Sequence, residues 1–141
     1  MARKTPSKPR PPEHDYSHRS LLDKLGVKPG RKILILGVTD GAFINDIHPF
    51  NPQFAERKPA ADIDLIFFNA EQKKDLDRLA QLCKSIVKNG GIWVIYPKGR
   101  QDIRELDVIA AGKAAGLTDN KVCGFSSTHT ALRFVIPVAN R

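Results

Sequence analysis

The sequence predicts one α/β domain built on a mainly parallel sheet. Short, continuous apolar runs at residues 33–36 (I-L-I-L), 64–68 (D-L-I-F-F) and 92–96 (I-W-V-I-Y) are closed by Gly37, Asn69 and Pro97. Such runs belong to strands covered on both faces. Stretches with apolar residues at helical spacing follow them, and 141 residues suffice for one buried core.

Each element has its own signal. In residues 1–17, Pro6, Pro9, Pro11 and Pro12 sit among Arg3, Lys4, Lys8 and Arg10 without apolar periodicity. That segment is expected to be a disordered basic tail, with residues 18–141 as the folded domain. Leu21, Leu22 and Leu25 give a short amphipathic helix, stopped by Gly26 and Pro29. The central strand spans residues 32–36, and the turn from Gly37 to Gly41 falls at its carboxyl end, where open parallel sheets place ligands. Phe43, Ile44 and Ile47 open a helix that Pro49 and Pro52 interrupt; residues 53–57 suit a short edge strand.

Residues 64–68 form the second long strand. Asn69, with Gln72 three residues on, suits a capping box, opening a helix with a stripe of Leu76, Leu79, Ala80, Cys83, Ile86 and Val87. Asn89-Gly90-Gly91 suits its left-handed close. The third strand is residues 92–96. Asp102 with Glu105 suggests another capping box, for a helix through Leu106, Ile109, Ala110 and Ala114 to Gly116. Residues 120–125 and 131–138 are β-rich, and the polar segment 126–130 between them suits a hairpin loop. Crossovers are expected to be right-handed.

Composition narrows the functional classes. No apolar run approaches the roughly 18–20 residues that span a bilayer, and no apolar stretch backs the basic N-terminus, so a cytoplasmic protein is expected. Cys83 and Cys123 form no C-x-x-C pair; two free thiols and no metal site follow, with Cys83 on the core stripe. The net charge of +8 divides into +3 over residues 1–19 and +5 over the rest. Alternations such as Lys73-Lys74 with Asp75 and Asp77 mark solvated faces rather than a nucleic-acid footprint. The basic tail is the segment that a nucleic acid or another acidic partner would meet. The histidines, at 14, 18, 48 and 129, lack ligand-like spacing. G-x-S-x-G, phosphate-loop and H-E-x-x-H patterns are absent, which disfavours a hydrolase, a P-loop enzyme and a zinc enzyme.

Larger pieces carry a resemblance. K-P-G-R-K-I-L-I-L-G resembles the first strand and glycine turn of class I methyltransferases that use S-adenosylmethionine. D-I-D-L-I-F-F-N is similar to their fourth strand, V-K-N-G-G-I-W-V-I-Y-P to their fifth, and the closing hairpin to theirs. The chain also resembles a small, functionally uncharacterised bacterial family, a domain of unknown function with a methyltransferase-like Rossmann fold. The matching pieces are Y-S at Tyr16, L-G-V-K-P-G at 25–30, Y-P-K at 96–98, A-A-G-L at 114–117, N-K-V-C at 120–123 and L-R-F-V at 132–135. The fold so implied is a truncated, Rossmann-like α/β domain with a mostly parallel sheet and a C-terminal antiparallel hairpin. That family's final loop carries an acidic-aromatic pattern, whereas residues 126–130 here read S-S-T-H-T.

The resemblance assigns candidate roles. S-adenosylmethionine would lie against Gly37, Thr39, Asp40 and Gly41, with Glu56 at the ribose. Asn69, Tyr96, Lys98 and His129 are the substrate-side candidates, although Asn69 serves equally as a helix cap and Lys98 as a solvated loop residue. His129 suits acid–base work but shows no partner. Only 27 residues lie between Leu36 and Asp64, little more than one strand–helix–strand crossover of roughly 30 residues takes up, so half of the adenosine pocket is expected to be missing. The expected function is therefore a truncated methyltransferase-like domain acting by ligand or partner binding without methyl transfer. The alternatives are a small S-adenosylmethionine-dependent methyltransferase and a nucleic-acid-associated accessory protein.

Overall fold

The computed structural model describes residues 21–54 and 61–141. The basic tail, Glu56 and the rest of the expected edge strand past Phe54 lie outside these residues. One six-stranded sheet organises the domain: β1 (Ile33–Leu36), β2 (Gln53–Phe54), β3 (Ile63–Asn69), β4 (Ile86–Pro97), β5 (Thr118–Gly124) and β6 (His129–Val135). Their order across the sheet is β2-β1-β3-β4-β6-β5. The first four run parallel, and β6 runs antiparallel to both β4 and β5.

The apolar runs are buried on both faces because helices cover both. On one face Leu34, Leu36, Ile66, Phe68 and Phe134 pack under Leu76, Leu79, Leu82 and Val108. On the other, Ile33, Ile35, Leu65, Phe67 and Trp93 pack under Leu22, Leu25, Phe43 and Ile47. The N-terminal turn is fastened by the Trp93 indole, whose Nε1 donates 2.8 Å to the buried Leu25 carbonyl. Helix α1 (Gly41–Ile47) ends just before Pro49, as the two prolines predict, and a 3₁₀ turn, His48–Phe50, leads to β2.

Several local expectations are corrected. The helix after β3 is shorter than its apolar stripe: a 3₁₀ segment (Lys73–Arg78) runs into α2 (Leu79–Leu82), and Ile86 and Val87 already belong to β4. Asn89, Gly90 and Gly91 therefore lie inside a strand, not at a helix end. The register jumps from Ile63↔Ile86 to Leu65↔Gly91, so β4 bulges here. A Cβ on Gly90 would sit 2.8 Å from the Asp64 carbonyl oxygen, which explains the glycine by close backbone approach rather than by a left-handed cap.

The caps also differ. Asp75 Oδ2, not Asn69, closes the start of the 3₁₀ segment by accepting from the Glu71 and Gln72 amides at 3.1 and 3.0 Å. Asp107 Oδ2 accepts from the Arg104 amide at 2.9 Å and opens α3 (Glu105–Ala114), while Asp102 pairs with Arg100 instead. The buried face of α3 is Val108 and Gly112, and Leu106 is 71% exposed. The expected stripe was rotated because glycine gives no apolar signal. Gly112 is nonetheless the contact that lets α3 reach the sheet. The last strand ends at Val135 rather than residue 138, and begins at His129.

A Cβ added to Gly112 overlaps the Phe134 ring. Overpacking costs about 1–3 kcal/mol, against roughly 1 kcal/mol gained from helix propensity. Gly112→Ala should lower the denaturant midpoint, and a further Phe134→Leu should recover part of the loss.

Candidate functional site

The register brings the carboxyl ends of three parallel strands to one rim. Leu36 stands beside Phe68, and Asn69 beside Ile95. Gly37 has φ of +75°, and a Cβ there would meet the Asn69 Cβ at 3.7 Å. Glycine thus allows the chain to turn tightly against the end of β3. Asp40 then caps α1, its Oδ1 accepting from the Phe43 amide at 3.0 Å. Phe43 packs edge-on against Phe67 and tilted against Phe125, with ring centroids 5.2 and 5.0 Å apart. This aromatic trio seats the glycine turn and the β5–β6 loop on either side of β3.

A cleft of about 220 Å³ opens between them, lined by Val38, Thr39, Asp40, Asn69, Glu71, Phe125, Thr128 and His129, among others. Of the candidates, Thr39, Asp40, Asn69 and His129 meet here. Gly37 and Gly41 frame the turn at its edge. Tyr96 and Lys98 instead line a separate hollow of about 330 Å³ with Arg100, Arg104 and Glu105. The pleat explains the division: Tyr96 pairs with Thr130 and Pro97 with His129, and neighbouring residues of a strand face opposite sides. In that hollow the Tyr96 hydroxyl donates 3.4 Å to Glu105, and burial followed by the Glu105 charge pushes its pKa up to about 12.

The cleft's chemistry rests on a residue that sequence reading missed. Glu71 Oε2 lies 2.7 Å from His129 Nε2, across 58 residues of chain. His129 is therefore not a lone loop histidine. Asn69 Nδ2 donates to the same carboxylate oxygen at 3.0 Å, and Arg100 stands 3.5 Å from Oε1. Thr128 Oγ1 lies 2.8 Å from His129 Nδ1. The loop is held by Ser126 Oγ, which accepts from the Thr128 and His129 amides, and by the Lys98 amide donating to the Thr128 carbonyl. With Glu71 accepting from Nε2–H, Nδ1 becomes the basic nitrogen and faces the Thr128 hydroxyl. A carboxylate-oriented imidazole of this kind can take or give a proton.

The His129 hydrogen bond holds the Glu71 carboxyl below its ordinary range, aided by Asn69 and Arg100 and opposed by burial. Among the described residues no group of acids, histidines and cysteines is arranged to hold a metal ion, and no helix is long and apolar enough to cross a membrane.

No family model matches the chain, and no curated protein matches it. Solved structures do. A TehB-like SAM-dependent methyltransferase from Corynebacterium glutamicum is similar with a TM-score of 0.59 and 15% identity, over 85% of this chain and 87% of that one. Magnesium protoporphyrin IX methyltransferase from Synechocystis, with bound SAH, gives 0.65 and 10%, over 88% and 84%. A SAM-dependent methyltransferase from Aquifex aeolicus gives 0.61 and 14%, over 85% and 89%. At these identities the likeness is one of fold: the domain has the class I methyltransferase-like Rossmann fold.

A group with a depressed folded pKa contributes stability that is complete above its unfolded value, here near 4.5, and lost as pH falls through the folded value. Glu71→Gln should therefore flatten the acid limb of a melting-temperature profile recorded from pH 7 to pH 3. An acid limb identical to that of the parent would show that the carboxylate is not stabilised in the cleft.

Proposed function

We propose that the domain is a small S-adenosylmethionine-dependent methyltransferase acting on a protic acceptor. The observation that carries this reading is the cleft at the carboxyl rim, where the glycine turn of β1 faces the Glu71–His129 pair across the end of β3. The turn suits the amino-acid end of the cofactor: a Cβ on Gly41 would meet nothing within 4 Å, so backbone is open to a ligand there. Asp40 keeps a second carboxylate oxygen beside Thr39 for an ammonium group. Val38 and Phe125 supply apolar wall.

When bound, the cofactor supplies an electrophilic methyl group. The chain's own residues supply the rest. Glu71 accepts from Nε2–H of His129 and Asn69 holds Glu71 in place, so the Thr128 hydroxyl, 2.8 Å from Nδ1, gives its proton to that nitrogen as it takes the proton of the acceptor. Positioning and proton removal of this type account for roughly 10²–10⁴-fold in rate.

Binding without transfer is the second reading. It is favoured by the interval between β1 and β3, where the strand among the described residues is the two-residue β2 alone. Thermal stability with S-adenosylhomocysteine tests both. At about 100 times the dissociation constant, binding should stabilise by roughly 2.7 kcal/mol, and Gly41→Val should abolish that shift without lowering the ligand-free melting temperature. His129→Ala should keep the shift and lose transfer to oxygen or nitrogen acceptors. A shift without transfer to any acceptor in the parent protein supports the second reading with this cofactor as the ligand, and no shift at millimolar ligand rejects the methyltransferase and leaves binding of another ligand or partner.

A further inference from the structure

A second cavity at the carboxyl rim takes no part in the chemistry proposed for the cleft. It is the hollow of about 330 Å³ that Tyr96 and Lys98 line. Its floor is fixed by the core, since Ile103 and Tyr96 are 1% and 5% exposed. Gly99, at φ of +68°, makes the turn after β4, a conformation that suits glycine. The residues on either side of it, Lys98 and Arg100, both line the hollow, together with Arg104. Two of these cations are held by acids that are not part of the lining. Arg100 gives Nε and Nη2 to Asp102 at 3.1 and 2.7 Å, and its Nη1 stands 3.5 Å from Glu71 Oε1. Arg104 Nε is 3.9 Å from Asp107 Oδ2. Among the described residues Lys98 forms no ion pair. The acid on the wall is Glu105, whose Oε1 accepts from the Tyr96 hydroxyl at 3.4 Å.

Three cations therefore stand against one acid around a concave site with an apolar floor. Charges that serve solubility alternate in sign along an exposed face, whereas these three converge on one cavity. Arg100 is gripped by carboxylates from two sides, so its planar fork is ordered before a ligand arrives and loses less freedom on binding. Carboxylates and phosphates are the groups that such donors recognise. A few converging polar groups around an apolar floor are the usual make-up of a small-molecule site. We propose that the hollow binds a small organic oxyanion, its carboxylate or phosphate received by Lys98, Arg100 and Arg104 and its carbon skeleton resting over Ile103 and the Tyr96 ring. Occupancy of this site does not depend on methyl transfer in the cleft.

The test is binding of sodium malate and, separately, of sodium glycerol 3-phosphate to the full chain, followed by thermal shift and by amide chemical shifts against sodium chloride of equal ionic strength. Saturable binding that moves the amides of Lys98, Gly99 and Arg104 is expected with at least one probe, and the tighter of the two identifies the head group. Lys98→Gln with Arg104→Gln, both exposed in the free domain, should weaken that binding at least tenfold. Lys84→Gln with Lys88→Gln removes the same charge around the start of β4, at the other end of that strand, and should leave the affinity unchanged. The proposal is overturned if neither probe exceeds the salt control, or if the first pair of substitutions binds as well as the parent. It is equally overturned if both pairs weaken binding alike, the mark of a diffuse positive field rather than a site. None of these outcomes bears on the cleft, whose ligand is read separately with S-adenosylhomocysteine.

Discussion

The constraint on which the structure depends is that residues 65–68 must be covered on both faces. They run between Ile33–Leu36 of β1 and residues 92–96 of β4, and all are at most a few per cent exposed. A parallel sheet with apolar residues on both faces has no middle position for polar chemistry. Its catalytic and binding groups must stand where the strands stop. Asn69, the first polar residue after that run, marks this point on β3, and the turn at Gly37 marks it on β1. The cleft is the space left where these ends and the β5–β6 loop fail to close over one another.

The loop's contribution follows from the single reversed strand. Because β6 runs antiparallel to β4, its first residue rather than its last lies at the carboxyl rim. Pro97 at the end of β4 faces His129 at the start of β6. That reversal converts a hairpin loop into one wall of the cleft, and puts an imidazole within reach of a carboxylate that follows β3. The Lys98 amide bond to Thr128 and the Ser126 side-chain bonds then limit how far the loop can drift. Orientation by short, local bonds of this kind gives a proton-transferring group its geometry before any ligand arrives.

Buried strands and proline breaks were legible in the sequence because both are local signals. Three strands of the sheet, their parallel sense and the closing hairpin follow from runs of apolar residues and the helices between them. What was not legible was set by contacts distant in sequence. Ile86 and Val87 continue a helical stripe as well as they start a strand, and only pairing with β3 decides between the two. Gly112 carries no apolar signal, yet it faces the core because Phe134 occupies the space a side chain would need. Within the site, Asp40, Thr39, Asn69 and His129 were marked by position after strands or in the hairpin loop. Glu71 was not, since nothing in E-Q-K-K distinguishes a surface carboxylate from one that meets a histidine 58 residues away.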